Sequence, residues 1–159
     1  MATPQSYKQM KVIVLGASGQ IGSVIYTGMR KIHEVVGTSR KSSAELMRFD
    51  PCQDDWLSLG AAEILINCVG QIKATRSSSL HRAHVELTER IIKHREFIGN
   101  PRIIQISALG ASADHHVEFL RTKGLADDLL LQHPHTAVVR PSIVCTPNNM
   151  IVKNRLMLR

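Results

Sequence analysis

The sequence is short of aromatic residues: Phe, Trp and Tyr make up 4% of it, with a single tryptophan, Trp56. Few rings are therefore on offer for stacking single-stranded bases, which argues against a nucleic-acid platform. There are three cysteines, Cys52, Cys68 and Cys145, widely spaced and without a Cys-x-x-Cys pair. An odd, scattered set fits a reducing compartment with buried thiols better than a disulfide framework. No run approaches eighteen apolar residues, so no membrane-spanning helix is expected. The first ten residues are polar and have no apolar stretch, so a secretory signal is not expected either. The expected location is the cytoplasm, with an organelle matrix as the variant. Internal repeats, low-complexity tracts and blocks of five like charges are also missing.

The 159 residues (17.7 kDa) are 43% hydrophobic and 21% charged. That is enough chain for one domain with a real core, and too apolar for a disordered segment. Twenty Lys and Arg stand against thirteen Asp and Glu, a net charge of +7. A basic balance favours an anionic partner: nucleic acid, an anionic membrane face or a phosphorylated small molecule. The scattered cations and sparse aromatics disfavour the first of these.

Short apolar runs alternate with helical spacings. Residues 12–15 form a continuous apolar run, read as a buried parallel strand. Ile21, Val24, Ile25 and Met29 recur at helical spacing over residues 20–30. Further strands are predicted at 34–38, 46–49 (weak), 64–69, 103–106 and 136–139. A short helix is predicted over 54–59 with Asp54 as its N-cap. Longer helices are predicted over 79–98, with Leu80, Leu87, Ile91 and Ile98 on one face and a Ser77-Ser78-Ser79 cap, and over 117–131. This alternation predicts an α/β domain, a Rossmann-type doubly wound parallel sheet of about six strands. The expected organisation is one domain over 1–159, with a core at 10–147 and a basic tail at 148–159. Trp56 is read as a packing residue, and Cys68 as a small buried hydrophobe within its strand.

The most informative motif is residues 16–22, Gly-Ala-Ser-Gly-Gln-Ile-Gly. This Gly-x-x-Gly-x-x-Gly follows a predicted strand and opens a predicted helix, the context in which such a loop holds a diphosphate. Gly16 allows the tight turn, Gly19 allows close approach, and Gly22 lets the helix lie against the sheet. The helix N-terminus supplies N–H groups and the positive end of its dipole. Gly16, Ser18, Gly19, Gln20, Ile21 and Gly22 are the candidate dinucleotide-binding residues. A nicotinamide dinucleotide is the expected cofactor.

The second strand ends in Thr38-Ser39-Arg40-Lys41. An Asp or Glu at this place would accept the ribose hydroxyls of NAD; none is present. Arg40 offers a guanidinium that can pair a 2′-phosphate in a bidentate manner. NADP(H) is expected over NAD(H), with Ser39 and Arg40 at the 2′ position. Asp50 reads either as an acceptor for an adenine amino group or as a turn residue before Pro51. Cys68, Val69 and Gly70 end the fourth strand at the edge where the cofactor is expected.

Taken together, residues 16–22, 67–70, 104–107, 119–123 and Arg140-Pro141-Ser142 resemble the short-chain dehydrogenase/reductase superfamily in its extended or atypical branches. The segments 119–123 and 137–142 are most similar to the branch that holds the dehydrogenase-like accessory subunit of respiratory complex I, with bacterial epimerase/dehydratase relatives. The resemblance covers residues 11–149. It implies a Rossmann fold, bound NAD(P), a catalytic Ser/Thr after the fifth strand and a Tyr-x-x-x-Lys pair on the next helix. Ser107 matches the serine. Lys123 matches the lysine, which in the family holds the nicotinamide ribose and lowers the tyrosine pKa. Phe119 stands where the tyrosine belongs. A phenyl ring has no proton to give as a hydride moves, and Tyr7 and Tyr26 lie outside the motif. The C-terminal substrate region usual in the family is expected to be short or missing.

Eight histidines raise the question of a metal, but no Cys or carboxylate cluster with a recognised ligand spacing accompanies them, and no metal site is expected. His84 and His94 read as core or rim residues. His115 and His116 precede the 117–131 helix near the expected cofactor mouth, as loop residues or a substitute acid. Two functions remain open. One is an NADP(H)-dependent oxidoreductase or epimerase/dehydratase relative acting on a small molecule the sequence does not identify. The other is a non-catalytic NADP(H)-binding structural or redox-sensing subunit that acts through a protein partner or a second copy.

Overall fold

The computed structural model describes residues 8–41, 43–76, 78–142 and 144. Six parallel strands form one sheet in the order β3-β2-β1-β4-β5-β6. They are β1 (Lys11–Leu15), β2 (Glu34–Ser39), β3 (Met47–Arg48), β4 (Ile64–Asn67), β5 (Arg102–Ile106) and β6 (Thr136–Val139). Helix α1 (Gln20–Met29) joins β1 to β2, α2 (Leu87–His94) lies between β4 and β5, and α3 (Glu118–Leu131) joins β5 to β6. This is the doubly wound order of a Rossmann fold, with its reversal between β1 and β4.

The strands read as continuous apolar runs because both faces of the sheet are covered. Successive residues of β1 point to opposite faces. Ile13 and Leu15 pack in one core with Leu65, Leu87, Ile91, Ile98, Ile103 and Leu130. Val12 and Val14 pack in the other with Ala17, Tyr26 and Ile66. The register, with Ile13 opposite both Val36 and Leu65, keeps each set on its own side. A one-residue slip would turn every one of these side chains to the wrong face.

Four expectations need correction in detail. The third strand is only two residues long. The predicted 54–59 helix is a 3-10 turn, Trp56–Leu59, capped by Asp55 and not Asp54: the Asp55 carboxylate accepts the Leu57 N–H at 3.0 Å, while Asp54 accepts the Asp50 N–H at 2.7 Å. The predicted 79–98 helix is not uniformly α-helical. It contains a π turn, Arg82–Glu86, then α2, then a 3-10 turn, Arg95–Ile98. In the π turn the Leu87 N–H reaches back to the Arg82 carbonyl, and Thr88 Oγ1 sits 2.8 Å from the His84 carbonyl. The four predicted face residues, Leu80, Leu87, Ile91 and Ile98, are all buried. So is Trp56, packed edge-on to Phe49 at 5.5 Å. Cys68 is only half-buried, because the strand ends at Asn67 and the residues after it turn out towards the site. Cys145, Tyr7 and the 148–159 tail lie outside the described residues.

Candidate functional site

A cleft of about 360 Å³ opens at the carboxyl ends of β1, β2, β3 and β4, at the reversal of strand order. That is where open α/β sheets hold ligands, and the volume suits a small-molecule site. Its floor is the glycine loop. Gly16 has φ +75°, a conformation that L side chains rarely adopt, and a Cβ there would lie 3.1 Å from Val69. At Gly22 a Cβ would come within 2.2 Å of the Gly16 carbonyl oxygen, so this glycine sets how closely α1 meets the loop. The Gly19 N–H donates to the Gly16 oxygen at 2.9 Å, closing the turn. Gly19 is the N-cap of α1, no side chain caps that end, and its first turn holds no acid. A cradle that a Cβ would fill, below a helix start without a side-chain cap, fits the diphosphate of a dinucleotide.

The β2 end forms one wall. Thr38 and Ser39 are buried, and Arg40 stands exposed at the rim. Among the described residues Arg40 forms no ion pair. Asp50 lines the cleft beyond β3, and one carboxylate oxygen accepts the Cys52 N–H at 2.9 Å. Asp50 thus closes its own turn while lining the cleft.

Behind the cleft lies a buried polar network. Asp127 on α3 has no exposed surface. It accepts hydrogen bonds from Ser107 Oγ at 2.7 Å, Gln105 Nε2 at 3.0 Å and Arg140 Nε at 3.0 Å. Gln105 Oε1 in turn accepts from Asn67 Nδ2 at 3.2 Å, and Asn67 Oδ1 accepts the Val69 N–H at 3.1 Å. No buried side-chain N or O among the described residues is left without a partner, as a low-dielectric interior requires.

Lys123 is buried, and its Nζ donates to the Ile106 carbonyl at 2.9 Å. A Cβ on Gly70 would meet that nitrogen at 3.1 Å. Burial lowers the Lys123 pKa to about 8, against the attraction of Asp127 and Cys68. Burial raises the Cys68 thiol to about 11, against the pull of Lys123. Burial and then the Lys123 charge lower His84 to about 4, so its ring is neutral near pH 7. The Gln71 N–H donates to His84 Nε2 at 3.3 Å, so Nδ1 carries the proton and donates to Thr122 Oγ1 at 2.8 Å. Phe119 packs edge-on to the His84 ring at 5.8 Å. Here, then, is a lysine with a lowered pKa, a serine hydroxyl committed to a carboxylate, and a phenyl ring beside a neutral imidazole.

No family model matches the chain. It is 30% identical over 110 residues, 67% of its length, to the "NADH dehydrogenase [ubiquinone] 1 alpha subcomplex subunit 9, mitochondrial" of Arabidopsis thaliana. The chain is a homologue of that subunit. The match spans 27% of the subunit's own length. Among solved structures, a UDP-galactose 4-epimerase superposes with TM-score 0.73 at 17% identity, over 94% of this chain and 62% of that one. Uronate dehydrogenase from Agrobacterium tumefaciens superposes with TM-score 0.69 at 15% identity, over 89% and 63%. A variant of that dehydrogenase complexed with NAD gives TM-score 0.69 over 88% and 63%. The chain thus has a Rossmann fold like those of the epimerase and the uronate dehydrogenase.

Nine of the predicted cofactor residues line the cleft: Gly16, Ser18, Gly19, Ser39, Arg40, Asp50, Cys68, Val69 and Gly70. Gln20, Ile21 and Gly22 do not, because they lie within α1, with Gly22 buried against the loop. Ser107, Phe119 and Lys123 lie behind the cleft, Lys123 reaching it only beside Gly70. His115 and His116 stack on each other at 4.5 Å away from the cleft, and His115 Nδ1 accepts the Val117 N–H. No group of three or more His, Cys, Asp or Glu suited to a metal occurs among the described residues. None of their helices is long and apolar enough to cross a membrane. Sequence reasoning missed Arg82, Gln71 and Cys52 in the cleft, and Asp127 and Gln105 behind it. Asp127 carried one signal: it follows Lys123 by four residues and so shares its helix face.

Proposed function

We propose that this chain is an NADP(H)-binding module that does not carry out the carbonyl reduction of its superfamily and acts through a protein partner. The observation that carries the reading is the state of the catalytic positions. Phe119 has no exchangeable proton, and the Ser107 hydroxyl donates to Asp127, so neither group is free to hydrogen-bond a substrate carbonyl. The cofactor, when bound, supplies hydride chemistry. The residues of this chain bind and orient it: the Gly16–Gly19 loop holds the diphosphate, Arg40 and Ser39 the 2′-phosphate, and Lys123 the nicotinamide ribose beside Gly70. The absence of a carboxylate at the end of β2 supports NADP(H) over NAD(H). The relative is by name a mitochondrial subunit of a multi-subunit dehydrogenase; its likeness supports a protein partner and an organelle matrix.

The second reading is an active NADP(H)-dependent oxidoreductase. The presence of Lys123, with its pKa brought to about 8, favours it, and water or a histidine would then supply the proton. Calorimetric titration with NADPH and NADH, followed by NADPH oxidation against a panel of aldehydes and ketones, separates the readings. The module reading expects NADPH to bind at least about tenfold tighter than NADH, with no turnover. Turnover abolished by Lys123→Ala would establish the enzyme instead. Equal affinity for the two dinucleotides would remove the role given to Arg40.

A further inference from the structure

Arg82 was not singled out by any motif, yet it lines the same cleft, on the π turn that follows β4. It is half-buried. The ion pairs among the described residues are Lys8–Glu63, Arg30–Glu45, His81–Glu86 and Arg140–Asp127, so the Arg82 guanidinium has no carboxylate partner among them. Its backbone is held firmly. Ser79 Oγ accepts the Arg82 N–H at 3.0 Å, and Gln71 Nε2, in the segment that follows β4, donates to the carbonyls of Ser78 and Ser79 at 2.9 and 3.0 Å. Two residues further on, His84 is buried and bonded to the Gln71 N–H. A π turn is a rare local geometry that recurs at functional sites. Here it sits where a cation faces the cleft.

We propose that Arg82 is a binding residue for the diphosphate of the dinucleotide, acting from the β4 side of the cleft while the glycine loop acts from the floor. The proposal rests on the cofactor reading above. A long guanidinium on a tethered backbone, without an ion pair among the described residues and in a cleft that also holds a glycine cradle, suits bidentate pairing with phosphate oxygens. Arg40 reads the feature that distinguishes the two dinucleotides, whereas Arg82 reads the feature they share. The two arginines therefore leave different signatures.

The test is calorimetric titration of wild type, Arg82→Gln, Arg82→Lys and Arg40→Gln with NADPH, NADH and inorganic pyrophosphate, with a thermal melt to check each fold. The expected result is that Arg82→Gln weakens both dinucleotides by the same factor, roughly tenfold to a hundredfold, and weakens pyrophosphate with them. Arg82→Lys recovers part of the loss, and Arg40→Gln weakens NADPH alone. Unchanged affinities in Arg82→Gln overturn the proposal while leaving the cofactor reading intact. A loss confined to NADPH also overturns it, by moving Arg82 to the 2′-phosphate. If wild type binds neither dinucleotide, the cofactor reading fails, and pyrophosphate decides Arg82: binding lost in Arg82→Gln upholds an anion site, and binding unchanged or absent in wild type overturns it.

Discussion

Ser107 Oγ lies 2.7 Å from Asp127 Oδ2 and donates a hydrogen bond to that fully buried carboxylate. Asp127 also accepts from Gln105 and Arg140, so it joins β5, α3 and the segment after β6 in one polar knot. Removing the acceptor leaves two buried donors and a guanidinium without their partner. Asp127→Ala is expected to cost about 3–5 kcal/mol of stability, measured as a drop in the urea midpoint. Ser107→Ala removes one hydrogen bond and is expected to cost about 1 kcal/mol. If the larger loss followed from Ser107→Ala, the carboxylate would not be the centre of the knot.

The glycine loop allows a paired test within one helix. At Gly22 an added Cβ would lie 2.2 Å from the Gly16 carbonyl oxygen, whereas at Gly28 it would meet nothing within 4 Å. Gly22→Ala must push α1 away from the loop, and is expected to lose about 3 kcal/mol together with dinucleotide affinity. Gly28→Ala is expected to gain about 0.5–1 kcal/mol from helix propensity and leave binding unchanged. Thermal melts of the two variants check the stabilities, and calorimetry checks the binding. Similar behaviour of the two would mean that close packing at Gly22 is not what the loop requires.

His84 makes stability depend on pH in mild acid. Its pKa falls from 6.5 to about 4 on folding, chiefly through burial. The unfolded chain therefore takes up a proton between pH 6.5 and 4 that the folded chain refuses, so stability is lost as pH falls through that window. The full effect is up to about 3 kcal/mol. Melting temperatures of wild type and His84→Gln at pH 7, 6 and 5 should diverge, with the wild type falling more steeply. Parallel curves would show that the ring titrates in the folded protein as it does in the unfolded one.

The apolar strands, the helical spacing and the glycine loop carried the fold into view before any coordinates, because each is a local pattern with a local cause. Gly16 needs its positive φ, Ile13 and Val12 alternate between two cores, and Arg40 stands where a carboxylate usually would. The cleft's far wall was not legible. Arg82 reaches it through a π turn, and no periodicity in the sequence distinguishes a π turn from the α-helix predicted over 79–98. The Asp127 network was hidden for a related reason. Its members, Asn67, Gln105, Ser107, Asp127 and Arg140, lie on four separate segments, and they meet only once β4, β5 and β6 are in register and α3 is packed against them. The cap of the 3-10 turn was misplaced by one residue, since Asp54 and Asp55 are chemically identical and only their hydrogen bonds differ.

Lys123 acts in the same direction at high pH. Its pKa falls from 10.5 to about 8, chiefly through burial, so the folded protein releases this proton before the unfolded chain does. Stability is therefore expected to rise between pH 8 and 10.5, by at most about 1.4 kcal/mol per pH unit. Cys68 works against this, because its thiol moves from 9.0 to about 11 and the folded protein holds that proton longer. Between pH 8 and 9 the lysine acts nearly alone. Above 9 the two oppose each other. Urea unfolding at pH 7.5, 8.5 and 9.5 should show a rise that flattens above pH 9 in wild type. The rise should continue towards pH 10.5 in Cys68→Ala and vanish in Lys123→Met. A wild-type curve with no rise would mean that the Ile106 carbonyl and Asp127 together hold the ammonium as well as water does.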